Sequence, residues 1–288
     1  MKTYRIGMVG SENSHALAFA NIFKKEPGLQ DMQIVAIYGD EDRAESEKVQ
    51  ALFPDAVIVD KATDMLGMVD AVMITSRDGK HHYPYAKAFL EAGIPLFVDK
   101  PFTVTLDDAK ALVALAKEKR VPLCGGSSLK YDRNIMELSA TVQSAGKPIF
   151  GGALSAPIML YCQYSGFYFY ASHLTEMTLE VFGYNPKAVT AVKYDNGVCA
   201  TVHYDGFSVC NHFKEGTEDY TAVLYTAEGA LLREISGEGC FEKECQCFVD
   251  LVRKGQMHHT YEELMAPVYY MNAVKEAYET GKTVEIKF

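Results

Sequence analysis

Short apolar runs alternate with amphipathic stretches through the first 125 residues. Six apolar runs predict strands, at 4–10, 32–38, 56–59, 71–75, 95–98 and 121–124. Four stretches between them have helical spacing and cap signals, at 16–25, 42–52, 82–92 and 106–120. Strands separated by helices with short loops form right-handed βαβ units. The pattern therefore predicts an α/β fold whose first part, residues 1–125, is a Rossmann-like, doubly wound parallel sheet.

The pattern changes after residue 125, where longer β-type runs replace the alternation. These runs predict strands at 149–163, 188–204, 206–213, 220–226 and 283–287. Helical spacing returns at 132–144, 172–182, 241–254 and 261–280. Residues 126–288 are therefore predicted to form a C-terminal α+β domain with a largely antiparallel sheet.

The composition narrows the class of protein. The net charge of −10 argues against nucleic acid or an anionic membrane as a partner. The first residues lead into a strand rather than a signal peptide, and no apolar run approaches membrane-spanning length. The 7 cysteines include no CxxC pair, so free thiols in a reducing compartment are expected and no metal site is predicted. We expect a cytoplasmic protein that acts on a small molecule.

In a doubly wound sheet, ligands bind at the carboxyl ends of the strands. The first such end is the turn 10–15, where a dinucleotide fingerprint has glycine at positions 10, 12 and 15. Only Gly10 is present, and Glu12 places a carboxylate where the backbone should approach the phosphates. The helix that follows can still bind an anion through its free N–H groups. The turn is either a cofactor site, with the residues Gly10, Ser11, Asn13 and His15, or an ordinary polar βα turn.

Two further loops lie at the same sheet edge. Asp40 follows the second strand, where an acid binds the ribose hydroxyls and favours NAD over NADP, although a solvated loop acid is equally consistent. The polar loop after the fourth strand offers Thr75, Ser76 and His82 as cofactor contacts. His82 has the alternative of being a simple helix-start residue.

Lys100 follows the fifth strand, between Asp99 and a proline. A lysine there can hold a substrate hydroxyl and accept its proton as hydride leaves the carbon. Further along the chain, His173 and Glu176 are three apart at a helix start and lie on one face, which suits proton exchange. Tyr170 belongs to an aromatic cluster that could line a sugar pocket or fill the core.

The segment 70–101, DAVMITSRDGKHHYPYAKAFLEAGIPLFVDKP, resembles the Gfo/Idh/MocA group, the glucose–fructose oxidoreductase and inositol dehydrogenase family. It matches the family's strand, TP-type loop, His-x-x-x-Ala helix and Glu-Lys-Pro strand end, with Asp99 replacing the glutamate. The resemblance implies a catalytic role for Lys100 and His173 and a cofactor contact at Asp99. It also implies that residues 126–288 have an open sheet and serve substrate binding and oligomerisation, in a homodimer or homotetramer. The family's aspartate four residues before the histidine is Phe169 here, so Glu176 is the nearest replacement, with Tyr170 as a substrate contact.

We therefore predict an NAD(P)-dependent oxidoreductase, a dehydrogenase or reductase of a sugar, inositol or related polyhydroxylated small molecule. NAD is expected rather than NADP. Two alternatives stay open at this point. One is NAD-assisted elimination or hydrolysis, and the other is a non-catalytic ligand sensor on the same fold, which Glu12, His15 and Phe169 favour.

Overall fold

A computed structural model describes residues 2–39, 42–144 and 148–288. The chain divides into two compact units, and it crosses between them three times. The first unit is Met1–Gly126 together with Phe241–Leu264, and the second is Ser127–Cys240 together with Met265–Phe288.

The first unit is built on a six-stranded parallel sheet, in the order β3-β2-β1-β4-β5-β6. Its strands are β1 (Tyr4–Val9), β2 (Met32–Tyr38), β3 (Val57–Ile58), β4 (Ala71–Ile74), β5 (Leu96–Asp99) and β6 (Leu123–Gly126). Its connecting helices are α1 (Ser14–Lys25), α2 (Arg43–Leu52), α3 (His82–Glu91) and α4 (Leu106–Lys119). The Rossmann-like sheet predicted from the sequence is confirmed.

The buried positions explain this arrangement. Strands β4, β5 and β6 are buried along their whole length, as expected for parallel strands that helices cover on both faces. Helix α1 buries Ala16, Phe19, Ala20 and Phe23, which share one face. The strand order reverses at β1, which lies between β2 and β4. The carboxyl ends of β1 and β4 therefore form the edge where such sheets bind ligands.

The second unit contains a seven-stranded sheet in the order β12-β11-β7-β10-β9-β8-β13. Its strands are β7 (Ile149–Ile158), β8 (Ala188–Tyr194), β9 (Gly197–His203), β10 (Ser208–Glu215), β11 (Tyr220–Thr226), β12 (Gly229–Ile235) and β13 (Val284–Glu285). Only the pairing of β7 with β10 is parallel among these described strands, so the largely antiparallel sheet is confirmed. Its helices are α5 (Arg133–Gln143), α6 (Phe167–Phe182) and α8 (Tyr261–Thr280).

Some elements differ from the sequence prediction. The run predicted at 188–204 is two strands, because a turn at Asp195 and Asn196 folds β9 back onto β8. Strand β12 was not predicted, and helix α6 begins five residues earlier than the predicted start at 172. Among the described residues, no helix combines the length and apolar character needed to cross a membrane.

Helix α7 (Cys240–Lys254) shows why the first unit includes a distant piece of chain. Its apolar residues Cys245, Phe248 and Val249 belong to the same core as Phe23 and Phe97. The rings of Phe97 and Phe248 pack edge to face at 6.3 Å. Segment 241–264, which the sequence analysis grouped with residues 126–288, therefore completes the core of the first unit.

Candidate active site

The turn after β1 packs closely against the loop after β4. Gly10 has φ +87°, and a Cβ atom there would lie 2.1 Å from the backbone nitrogen of Ser76. The hydroxyl of Thr75 donates to the carbonyls of Val9 and Gly10, at 3.1 and 3.0 Å. Glycine is thus required at position 10, because any side chain would collide with backbone.

The other polar residues of this turn are also engaged. Ser11 Oγ lies 2.7 Å from Ser46 Oγ. Asn13 caps helix α1, its side-chain oxygen accepting from the backbone N–H of His15 at 3.4 Å. Ser76 is fully buried, and its hydroxyl has no hydrogen-bond partner among the described residues. The predicted contacts at this edge therefore lie together in one small region of the first unit.

Asp99 connects the turn after β1 to the end of β5. One carboxylate oxygen accepts from the backbone N–H of Lys100 at 2.7 Å. The other accepts from His15 Nδ1 at 2.7 Å and from Asn13 Nδ2 at 3.3 Å. Lys100 itself is 4% exposed. Three donors on a buried carboxylate fix the chain immediately before Lys100.

The charge on Asp99 follows from these contacts. Burial alone would raise the pKa of Asp99, but the charge and hydrogen bond of His15, with Lys100, lower that pKa below its ordinary value. Asp99 is therefore ionised at neutral pH. Because an ionised carboxylate can only accept a hydrogen bond, His15 donates to it from a protonated Nδ1.

His82 is fully buried and joins two loops rather than facing solvent. Its Nε2 lies 2.8 Å from the carbonyl of Ser76, and its Nδ1 lies 2.8 Å from the carbonyl of Pro101. Burial lowers the pKa of His82, and these hydrogen bonds with the charge of Asp99 offset only part of that effect. The ring thus joins the two segments that flank the site, and its predicted cofactor contact stays a prediction.

Glu12 and Arg77 clasp each other across the two loops. Glu12 Oε1 accepts from the backbone N–H of Arg77 at 3.0 Å, and the Arg77 guanidinium donates to the backbone carbonyl of Glu12. The second carboxylate oxygen, Oε2, is buried and has no hydrogen-bond partner among the described residues. We refer to this pair of reciprocal contacts as the Glu12–Arg77 clasp.

The backbone of the turn fits the diphosphate of a dinucleotide. Gly10 allows the close approach to β4, and α1 begins directly after the turn, where N–H groups favour an anion. Glu12 departs from that fit, since its carboxylate brings a negative charge to the same place. The backbone of the turn therefore fits a dinucleotide, but the negative charge of Glu12 opposes that of the diphosphate.

His173 lies in the second unit, on helix α6. Its Nδ1 is 2.7 Å from the hydroxyl of Ser127, which follows β6 and also accepts from the backbone N–H of Leu129. The rings of Tyr170 and Tyr220 meet the imidazole edge to face, at 5.4 and 6.2 Å. A hydroxyl therefore orients this histidine.

Glu176 is 1% exposed, one turn beyond His173. Its Oε2 bonds Lys130 Nζ at 2.9 Å, and both side chains are 2% exposed. The other oxygen is buried with no hydrogen-bond partner among the described residues. Glu176 thus has a lysine partner inside the second unit, and its substrate contact stays a prediction.

Three partner residues were missed by the sequence analysis: Arg77, Ser127 and Lys130. Each follows the carboxyl end of a strand of the first sheet, and that position was the available signal. The predicted ribose contact Asp40 lies outside the described residues. Within the part of the chain that is described, no cluster of three histidine, cysteine, aspartate or glutamate side chains is arranged to hold a metal ion.

The family model described as "Oxidoreductase family, NAD-binding Rossmann fold" (Gfo/Idh/MocA) matches residues 4–126. An inositol 2-dehydrogenase from Serratia proteamaculans is 31% identical over 164 residues, covering 56% of this chain and 45% of that protein. The scyllo-inositol 2-dehydrogenase (NADP(+)) IolW of Bacillus subtilis is 26% identical over 167 residues, covering 51% and 44%. The chain thus spans less than half the length of these curated relatives.

The fold of the whole chain also has solved counterparts. The crystal structure of GenD2 from gentamicin A biosynthesis, in complex with NAD, superposes with a TM-score of 0.86 at 17% identity, covering 100% of this chain and 97% of that one. At this identity the similarity shows the fold alone. The sequence match goes further: residues 4–126 match the Gfo/Idh/MocA oxidoreductase model, in agreement with the resemblance predicted from the sequence.

Proposed function

We propose that this protein is an NAD-dependent dehydrogenase or reductase of a polyhydroxylated small molecule, such as a sugar, an inositol or a related derivative. The observation that carries the proposal is the buried Lys100, placed directly after a carboxylate that three donors hold. A lysine so placed suits acid–base work on a substrate oxygen. The family match of residues 4–126 supports the nicotinamide cofactor.

In this proposal, bound NAD supplies the hydride acceptor or donor. The backbone of Gly10, Ser11 and Asn13 would hold its diphosphate, and Thr75 and Ser76 would contribute from the loop after β4. In the direction of reduction, the Lys100 ammonium binds the carbonyl oxygen and donates a proton to it as hydride reaches the carbon. In the direction of oxidation, the neutral amine of Lys100 accepts the hydroxyl proton as hydride leaves the carbon. In both directions charge does not build up on the oxygen.

His173 is proposed as a second proton-exchanging group, carried by the second unit. Its imidazole is 8% exposed and is held at Nδ1 by Ser127, and an imidazole can exchange a proton near neutral pH. Because the oriented ring is backed by a neutral hydroxyl, it can take up a proton and release it again.

A cavity of about 600 Å³ in the second unit supports a polyol as the substrate. Its wall includes Tyr170 and Tyr220, the two phenols that contact the His173 ring. Glu215, Glu218 and Thr217 add two carboxylates and a hydroxyl, and none of the described lining residues is lysine or arginine. Such a wall accepts hydrogen bonds from hydroxyl groups and repels anions, so we propose a neutral polyol rather than a uronic acid or a sugar phosphate.

The test is a Lys100→Met variant, which keeps the buried volume of the side chain but removes its charge. With a panel of inositols, hexoses, hexuronates and sugar phosphates plus NAD or NADP, we expect steady accumulation of reduced cofactor with a neutral polyol. Turnover should fall about a hundredfold or more in the variant, the scale of a positioned acid–base group. The matched control is Lys87→Met, an exposed lysine of α3, which should keep the parent rate. Equal rates for the parent and Lys100→Met would reject the proposal.

One observation favours a second candidate, a non-catalytic sensor on this fold. The Glu12 carboxylate opposes the diphosphate at the cofactor turn. A sensor would be stabilised against thermal unfolding by a polyol, with no cofactor reduction in any combination. In that case Lys100→Met would bind the polyol much as the parent does.

A further inference from the structure

The proposed reaction assigns no role to the two charged side chains of the Glu12–Arg77 clasp. Glu12 is the residue directly before the N-cap of α1, so its carboxylate lies at the start of a 12-residue helix. The N-terminus of a helix carries partial positive charge, which favours an anion. In this protein, the chain itself supplies that anion.

The contacts of the carboxylate are uneven. Oε1 accepts a hydrogen bond from the Arg77 backbone, whereas Oε2 is buried and has no hydrogen-bond partner among the described residues. A buried acceptor on an ionised group costs free energy when it lacks a donor. The carboxylate is thus held in place by one hydrogen bond and by its surroundings, and a competing anion can displace it.

Arg77 is the cation of the clasp. Its guanidinium donates to the Glu12 carbonyl, and its backbone N–H donates to the Glu12 carboxylate. A diphosphate offers two negative charges and several acceptors, and guanidinium groups bind such acceptors well. An incoming diphosphate and the Glu12 carboxylate therefore compete for the partial positive charge at the start of α1, and the Arg77 guanidinium, which donates to the Glu12 carbonyl, adds a cation to the same turn.

We propose that Glu12 is an internal competitor for the diphosphate of the dinucleotide, and that it sets the affinity of the protein for its cofactor. This inference rests on the proposed function, because it takes the turn 10–15 to be the cofactor site. Glu12 makes the affinity lower than the fold would otherwise give, and Arg77 limits that loss. Removing the charge of Glu12 strengthens cofactor binding, and removing the charge of Arg77 weakens it.

The experiment is a fluorescence titration of the purified protein with NADH, which reads binding without turnover. The main variant is Glu12→Gln, since the amide keeps an oxygen that can accept from the Arg77 backbone and so preserves the turn. The matched control is Glu26→Gln, which removes the same charge from an exposed residue at the opposite end of α1. Thermal unfolding of each variant verifies that it is folded.

We expect Glu12→Gln to bind NADH about tenfold more tightly than the parent at low salt, which corresponds to about 1.4 kcal/mol. The gain should shrink at high salt, because screening weakens a charge–charge effect. Glu26→Gln should match the parent, and Arg77→Met should bind more weakly.

The outcomes separate this inference from the proposed function. If the parent binds NADH and Glu12→Gln binds equally or less tightly, the competitor role is overturned while the cofactor stands. Tighter binding by Glu12→Gln supports the inference even where parent binding is too weak to detect. If neither protein binds NADH while both are folded, the inference and the nicotinamide-dependent function both fail.

Discussion

Two histidines, one in each unit, are held at Nδ1 at the same distance by different partners. His15 lies 2.7 Å from a carboxylate oxygen of Asp99, and His173 lies 2.7 Å from the hydroxyl of Ser127. The carboxylate can only accept, so it fixes His15 as a donor at Nδ1. The hydroxyl can donate or accept, so it leaves the tautomer of His173 open.

The different partners indicate different roles for the two histidines. His15 ties the turn after β1 to the residue before Lys100, and this is a task of holding position. His173 is oriented without being charged by its partner, which suits a group that gains and loses a proton. The two hydrogen-bond distances are the same, so only the chemical nature of the partner distinguishes the two histidines.

The same contrast extends to the two buried carboxylates. Asp99 receives three hydrogen bonds, from Lys100, His15 and Asn13. Glu176 receives one from Lys130, and its other oxygen has no hydrogen-bond partner among the described residues. Glu176 therefore depends on a single ion pair, whereas Asp99 has several hydrogen-bond donors.

The largest expected effect is on that ion pair. Lys130→Met leaves Glu176 as an uncompensated buried charge and should lower the free energy of unfolding by about 3–5 kcal/mol. Urea unfolding measures it, and the double variant Lys130→Met/Glu176→Met should recover most of the loss. Lys187→Met, at an exposed pair in the same unit, should change little. A loss below about 1 kcal/mol for Lys130→Met would show that water reaches this pair.

His15→Ala should have a smaller effect, because Asp99 keeps two other donors. We expect a loss of about 1–3 kcal/mol in the free energy of unfolding, the scale for removing one partner of a buried polar group. The matched control is His258→Ala, since His258 and Asp250 form a more exposed pair at 3.0 Å in the same unit. If both variants lose the same amount, the bond of His15 is no more than a surface contact.

The variant Ser127→Ala tests whether the hydroxyl of Ser127 orients His173. If the proposed function holds, turnover should fall about tenfold, the equivalent of one positioning hydrogen bond of about 1.4 kcal/mol. The pH profile of turnover should shift as well, and Ser127→Thr should restore both. A readout independent of activity is the ¹⁵N chemical shift of the His173 ring. Unchanged ring shifts in Ser127→Ala would mean that the hydroxyl does not orient this histidine.

The smallest effect concerns pH and Asp99. Its pKa is lower in the folded protein than its ordinary value, chiefly because His15 opposes the cost of burial. The ionised form therefore stabilises the fold above the unfolded pKa of about 4, and that contribution is lost as the pH falls through the folded pKa. Urea unfolding between about pH 7 and 3 should show Asp99→Asn approaching the parent in acid. Asp55→Asn, at an exposed site, should run parallel to the parent, and parallel curves for both variants would contradict this prediction.

Much of the fold could be predicted because its signals are local. The parallel strands are buried apolar runs, and the helix predicted at 261–280 matches α8 (Tyr261–Thr280). Strand β12 was missed because five of its seven residues alternate between exposed and half-buried positions at a sheet edge, with a weak apolar pattern. The aromatic residues at the start of α6, from Phe167 to Tyr170, obscured its beginning because they also favour strands.

The candidate site could be predicted in part. Lys100 and Asp99 were identifiable because a strand end fixes where they lie. Ser127 and Arg77 were not, because a hydrogen bond between residues 46 apart, or 65 apart, leaves no periodic signal in the sequence. The burial of His82 and Glu176 was equally hidden, because the sequence alone does not tell whether a polar residue is buried with a partner or exposed to solvent.

The return of Phe241–Leu264 to the first unit has a consequence for synthesis. A ribosome finishes strands β1 to β6 long before it makes Phe248, whose ring packs on Phe97 of β5. Until then, the apolar surface beside Phe97 lacks its partner, while the residues of the second unit emerge in between. A gene fragment that stops near residue 126 would encode every strand of the first sheet yet omit part of its core. The first unit is thus one body in space that is built from two separate stretches of chain, and its core is completed only after most of the second unit has been synthesised.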